Sequence, residues 1–145
     1  MGRYLDAWNS HEAERVVEFM AAEAVYEDLA LGQVHEGREA IAAFVATSSE
    51  FSSDHHFIAV SAQASGDAYA IEWEMVGTND GPAGGFPATN KPYRIRGASI
   101  GSLDQDGLIV LNRDYWSLAD YLGQVGLLRK RASRCLTRSW RTPSS

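Results

Sequence analysis

The chain has very little of what staples, anchors or metallates a protein. Its single cysteine, Cys135, excludes an internal disulfide and suggests neither a disulfide scaffold nor a metal site. No apolar run reaches the ~18–20 residues of a membrane span. The opening MGRYLDAW lacks the apolar core of a signal peptide. It also has Asp6 where N-myristoylation requires Ser or Thr. A soluble, cytoplasmic protein is the expectation. The four histidines have no convincing metal-ligand spacing, and there is no HExxH pattern. The glycine-rich stretch GPAGGFPATN is not followed by Lys-Ser/Thr or by a helix start, so it is not a phosphate loop. No Ser-His-Asp or Cys-His arrangement is supported.

What remains is an ordinary globular composition. The 145 residues suit one domain, with 45% hydrophobic and 22% charged residues. The charge is unevenly spread. Residues 1–128 hold all 19 acids and 7 of the 13 Lys and Arg, a balance of −12. Residues 129–145 hold the other 6 basic residues and no acid. The expected division is a domain over 1–128 and a basic, flexible tail over 129–145. An acidic body argues against a nucleic-acid surface.

Periodicity changes once along the chain. Residues 3–9 read as a short helix with Tyr4, Leu5 and Trp8 on one side. Ser10 can cap a second helix over about 11–21. Ala24–Asp28 reads as a short strand, with Tyr26 and Asp28 on one face. Gly32 marks a turn, and 34–36 is a brief extended piece. Gly37 opens a third helix whose apolar stripe is Ile41, Phe44 and Val45. From Ser52 the pattern becomes sheet. Four long strands are expected, over about 54–65, 68–79, 93–103 and 108–116, joined partly by tight turns at Gly66 and Asp106-Gly107. DGPAGGFPAT is a loop that reads as a lip to a pocket. A last helix over about 117–125 ends at Gly126. This order predicts an α+β fold with an antiparallel meander. Helices gathered on one face of a curved sheet can leave an unfilled end, hence a ligand pocket.

Asp114 is the residue of most chemical interest. It lies in a mostly apolar strand, and a buried charge is costly unless paired or hydrogen-bonded. A salt bridge to Arg96 or Arg113 would lower its pKa, whereas an apolar pocket would raise it toward the range of a general base. Trp116 shares its side of the strand. On 68–79, alternation puts Tyr69, Ile71, Trp73 and Met75 on one face and Glu72 and Glu74 on the other. The apolar set is the natural inward face, although a one-residue slip would exchange the two. His55 and His56 point to opposite faces, so at most one reaches a pocket. His11 and His35 sit at element ends and look local.

Several segments together resemble a known family: YLDAWNSHEAERVVEFMAAEAVYED, GREAIAAF, GDAYAIEWEMVGTNDG, FPATNKPYRIRGAS and DGLIVLNRDYWSLADYLGQVGLL. The chain over about 3–128 resembles the SnoaL-like polyketide cyclases of the nuclear transport factor 2-like superfamily. The resemblance implies a cone-shaped α+β barrel, three N-terminal helices on a curved, mainly antiparallel sheet, with an internal pocket. It implies a homodimer joined through the convex face, a hydrophobic small-molecule substrate, and neither cofactor nor metal. It also implies one pocket acid that moves protons, in ring closure, isomerisation or epoxide opening. Locally, RDYW is similar to limonene epoxide hydrolase and places Asp114 at its water-activating acid. VYED places Tyr26 and Asp28 at the pair that holds the water, with Asp28 in place of an Asn. The strand AIEWEM offers Glu72 and Glu74 where that hydrolase has an Arg and an Asp. The candidate catalytic residues are therefore Asp114, Glu74 and His56. The candidate substrate-binding residues are Tyr26, Asp28, Trp73 and Trp116. A binding module without catalysis is the alternative of another class.

Overall fold

A computed structural model describes residues 1–82 and 86–128. The basic segment 129–145, with Cys135, lies outside the described residues. The elements in order are α1 (Gly2–Asn9), α2 (Ala13–Val17), β1 (Met20–Asp28), β2 (Gln33–Glu36), α3 (Gly37–Phe51), β3 (His56–Ser65), β4 (Ala68–Thr78), β5 (Pro92–Leu103), β6 (Ile109–Trp116) and α4 (Leu118–Gln124).

The strands form one curved sheet in the order β2-β1-β6-β5-β4-β3. β3 to β6 are the expected antiparallel meander. β1 then lies parallel to β6, and β2 is antiparallel to β1. The sheet is open, not a closed barrel, with β2 and β3 as its edges.

The second helix is shorter than its sequence predicts. MAAEA has helical propensity, yet the chain turns extended at Met20. Met20 is fully buried and pairs with Ile109, whose amide donates to the Phe19 carbonyl at 2.8 Å. Arg38 on α3 donates twice to the Met20 carbonyl, at 2.7 and 2.9 Å. A strand partner from the far end of the chain and an arginine from α3 satisfy this backbone, so tertiary context overrides local preference. Ser10 does not cap α2 by the usual bond to a first-turn amide. Its hydroxyl donates to the Ala7 carbonyl and accepts from the Glu12 amide.

Alternation along β4 settles which face is inside. Tyr69, Ile71 and Trp73 are buried against the helices, while Glu72 and Glu74 face the other way. The main core gathers Tyr4, Trp8, Val16, Met20, Ile41 and Ile71. A second cluster, Tyr93, Ile95, Tyr121 and Val125, sits under α4. Ser117 caps α4 by accepting from the Asp120 amide at 3.0 Å, and Gly126, at φ +80°, ends it. Gln124 bonds both backbone groups of Arg94, which fixes α4 to β5. Asn9 likewise bonds both backbone groups of Phe57, which fixes α1 to β3.

Candidate active site

The helices do not fill the space above the inner face of the sheet. A cavity of about 530 Å³ remains, walled by β1, β2, α3, β4, β6 and α4. Nine of its 20 described lining residues are Phe, Tyr or Trp, and among the described residues none is Lys or Arg, so this wall is mostly ring surface. Phe86, at the end of the glycine-rich loop, contributes to the wall.

Glycines let these rings lie flat on the sheet. Gly97 on β5 is the strand partner of Trp73, and Gly101 is the partner of Tyr69. A Cβ at either glycine would collide with the partner ring. The aromatic residue therefore covers a bare stretch of the neighbouring strand, which glycine alone permits. The seated Trp73 indole then donates from Nε1 to Ser99 Oγ at 2.9 Å.

Ser99 passes this order on to Asp114. It is the β5 partner of Asp114 and donates to Oδ1 at 2.6 Å. Asn112, two residues back on the same face of β6, donates to the same oxygen at 2.8 Å. The Tyr69 hydroxyl holds Asn112 by donating to its Oδ1 at 2.6 Å. On the other side, the Tyr26 hydroxyl donates to Asp114 Oδ2. Asp114 is thus 7% exposed, held by three side-chain donors and, among the described residues, faced by no cation. Burial pushes its pKa up to about 6, against the pull of the Ser99, Tyr26 and Asn112 hydrogen bonds, with Asp28 adding a smaller upward push.

Asp28 is the β1 partner of Asp114 across the parallel pair and also lines the cavity. Its carboxylate accepts from Trp116 Nε1 at 3.0 Å and from the Leu31 amide at 2.9 Å. Burial raises its pKa as well. His35, on β2, stacks on Phe44 with ring centroids 4.4 Å apart. Burial lowers its pKa, so the imidazole is neutral at pH 7.

Tyr26, Asp28, Trp73, Asp114 and Trp116 therefore meet in one cavity. Glu74 and His56 do not line it. Glu74 lies on the outer face, ion-paired with Arg94 and, at 3.8 Å, with Arg96. His56 is exposed and lines a shallow depression beside Asp54, Arg94 and Gln124. His55 is the inward one of the pair, but it stacks on His11 at 4.2 Å outside the cavity. Arg96 and Arg113, the possible partners of Asp114, pair instead with Glu72, Glu74 and Glu27 on the outer face. Sequence reasoning passed over Ser99, Asn112 and the Tyr69 hydroxyl. The signal was there in part: Asn112 lies two residues from Asp114, and period two puts both on one face. Among the described residues, no group of three or more His, Cys, Asp or Glu is placed to hold a metal ion.

An open α+β cone with a buried carboxylate at an aromatic cavity defines a class of small-molecule-binding folds. The comparisons give the family. The model of the SnoaL-like domain matches residues 1–112, and the chain belongs to that family. The match stops two residues before Asp114. A protein with a ketosteroid isomerase-like fold from Catenulispora acidiphila DSM 44928, solved with trimethylamine, is 26% identical. That similarity covers 88% of this chain and 92% of that one, with a TM-score of 0.76. A candidate SnoaL-like polyketide cyclase from Jannaschia sp. CCS1 is 19% identical over 88% of this chain and 89% of the other, at a TM-score of 0.78. SalBIII, an epoxide hydrolase/cyclase-like enzyme of pyran ring formation in the polyether salinomycin, is 20% identical. It aligns over 82% of this chain and 88% of its own, at a TM-score of 0.68. Among curated proteins nothing matches. No helix among the described residues is long and apolar enough to cross a membrane.

Proposed function

We propose that this protein is an acid–base enzyme of small-molecule metabolism, a SnoaL-like cyclase or isomerase that uses Asp114 to take and return a proton beside a substrate carbonyl. The observation that carries this reading is a carboxyl at the cavity wall with its pKa raised to about 6 by burial. A base is most useful when its pKa lies near the working pH, where it is ionised yet still holds a proton well. The three donors fix the carboxylate in place, so little reorientation is needed at the moment of transfer. Trp73 and Trp116 would bind a flat hydrophobic body such as a polyketide ring. A base and an aromatic cavity need no cofactor for this chemistry. The unit that carries it is the domain over 1–128, with 129–145 as an appended tail.

One observation favours epoxide opening as a second reading. Tyr26 and Asp28 stand beside Asp114, where a water or an internal hydroxyl could be held against it. Glu74 faces away, so the second acid of that mechanism would have to be Asp28. Dimerisation is proposed through the outer face, where Ile58, Val60, Ile100 and Tyr115 are exposed. Ile100→Asp is expected to shift a dimer to monomer in size-exclusion chromatography.

The test uses an aryl 1,3-dicarbonyl in deuterated buffer. The wild type should accelerate exchange of the α-proton, followed by NMR, and Asp114→Asn should not. Labelled oxygen from water entering limonene oxide would favour the epoxide reading. Tight retention of either probe with no exchange and no opening would leave a binding module.

A further inference from the structure

Among the described residues, the two cavity carboxylates have no cation facing them. Asp28 and Asp114 are side by side on β1 and β6, and both are buried. None of the cavity-lining residues is Lys or Arg, and no salt bridge to either acid is formed among the described residues. Arg113, Arg94 and Arg96, on the strands of the same sheet, are turned to the outer face and paired with Glu27, Glu72 and Glu74. Among the described lining residues the basic side chain is His35, and burial favours its neutral form. The tyrosines around Asp114, namely Tyr4, Tyr26 and Tyr69, have their pKa raised and stay neutral too. At neutral pH this leaves negative charge in an apolar site without its counter-charge, an arrangement that a bound cation would relieve.

The wall around this charge suits a cation in a second way. The hydrogen-bond donors closest to the acids are already used: Trp116 Nε1 on Asp28, Trp73 Nε1 on Ser99, and the Tyr26 hydroxyl on Asp114. With their N–H groups committed, the two indoles line the cavity as ring carbon without a free donor. Ring faces attract ammonium groups, tryptophan most strongly. Phe44 adds ring surface on the Tyr26 side, with its ring centroid 5.3 Å from that of Tyr26. The wall near the acids therefore asks for what a ligand must bring, which is positive charge and N–H donors.

We infer that the cavity selects a hydrophobic substrate carrying a protonated amine, with the ammonium seated between Asp28, Asp114 and the Trp116 face. This rests on the reading of the cavity as the substrate site and adds a substrate class to it. The reacting carbonyl or epoxide would adjoin the amine-bearing carbon, so that the carbon losing its proton stays within reach of Asp114. No bond is made or broken in this recognition step. An ammonium against Asp114 favours its ionised form, so binding near pH 6 should release protons.

The test compares benzylammonium with benzyl alcohol, which are close in shape and differ in charge, by calorimetry on the full chain. At pH 7.5 the ammonium should bind at least about tenfold tighter. That preference should collapse toward pH 5, as Asp114 takes up a proton and His35 gains charge. At pH 6, titrations in buffers of different ionisation enthalpy should show protons released with the ammonium and none with the alcohol. Asp28→Asn and Asp114→Asn should each reduce the preference. Equal or tighter binding of the alcohol would overturn the inference, as would an ammonium preference that is flat from pH 5 to 7.5. The pH series on the wild type decides the matter even if a variant fails to fold. Loss of α-proton exchange in Asp114→Asn with no ammonium preference would sink this inference and keep the acid–base reading. An ammonium preference without exchange would do the reverse.

Discussion

Glu74 on β4 and Asp114 on β6 are carboxylates of one sheet, with β5 between them. Glu74 faces outward, where Arg94 and Arg96 neutralise it in contact with water. Asp114 faces inward, where it has three hydrogen-bond donors and, among the described residues, no cation. Side-chain alternation alone separates these two environments. The comparison teaches that the partners a carboxylate meets in this fold are set by the face it projects from. Each experiment below breaks one side of that contrast or sharpens it.

The largest effect is expected at the inner acid. Asp114→Asn keeps the shape and loses the base, so turnover should fall about 10²- to 10⁴-fold, measured as kcat on the substrate or as α-proton exchange on the dicarbonyl probe. The next largest is structural. Trp73→Ala removes a buried ring, leaves Gly97 uncovered and releases Ser99. It should cost about 3–5 kcal/mol of stability in denaturant unfolding. Activity should fall as well, because Asp114 loses the ordered serine beside it.

A pH series tests the cost of the buried charge. The folded pKa of Asp114 stands at about 6, above its ordinary 3.8. The folded state therefore binds more protons than the unfolded state in that window, and stability falls as pH rises through it. The group should be worth about 2 kcal/mol between pH 4 and pH 7.5. Asp28, raised in the same direction, adds to it. Asp114→Asn should flatten its share, so that the variant gains on the wild type in unfolding midpoints at pH 7.5. A smaller effect is expected of Ser99→Ala. Losing a donor to the charged form should raise the Asp114 pKa further and move the acid limb of the rate profile to higher pH, with a few-fold loss of rate near pH 6 and little above pH 8.

How far these features were legible depended on how local their causes are. The face of β4 could be read from Tyr69, Ile71, Trp73 and Met75, because alternation is a property of the strand itself. Asp114 stood out as an acid in an apolar strand, and Trp116 followed from its spacing. Met20–Glu23 could not be read as strand, because its partner Ile109 lies near the other end of the chain. Ser99 looked like any small polar residue until the β5–β6 register put it opposite Asp114. The arginines were ambiguous for the same reason, since which acid each one meets is decided across strands. His35 was dismissed as local, yet the short β2 brings it to the cavity wall through its pairing with Tyr26.

The smallest effect is expected at Glu74, and it is the sharpest control on the contrast. Arg94 and Arg96, its two partners, are well over half exposed, so the pairs are weakened by water and salt. Glu74→Gln should therefore change stability by no more than about 1 kcal/mol. It should also leave turnover and the pH profile of the Asp114 reaction where they were, because among the described residues Glu74 pairs with Arg94 and Arg96 on the outer face and does not line the cavity. If Glu74→Gln instead lowers kcat as far as Asp114→Asn does, the outer face takes part in the reaction. The separation of the two carboxylates by strand alternation would then no longer explain which one works.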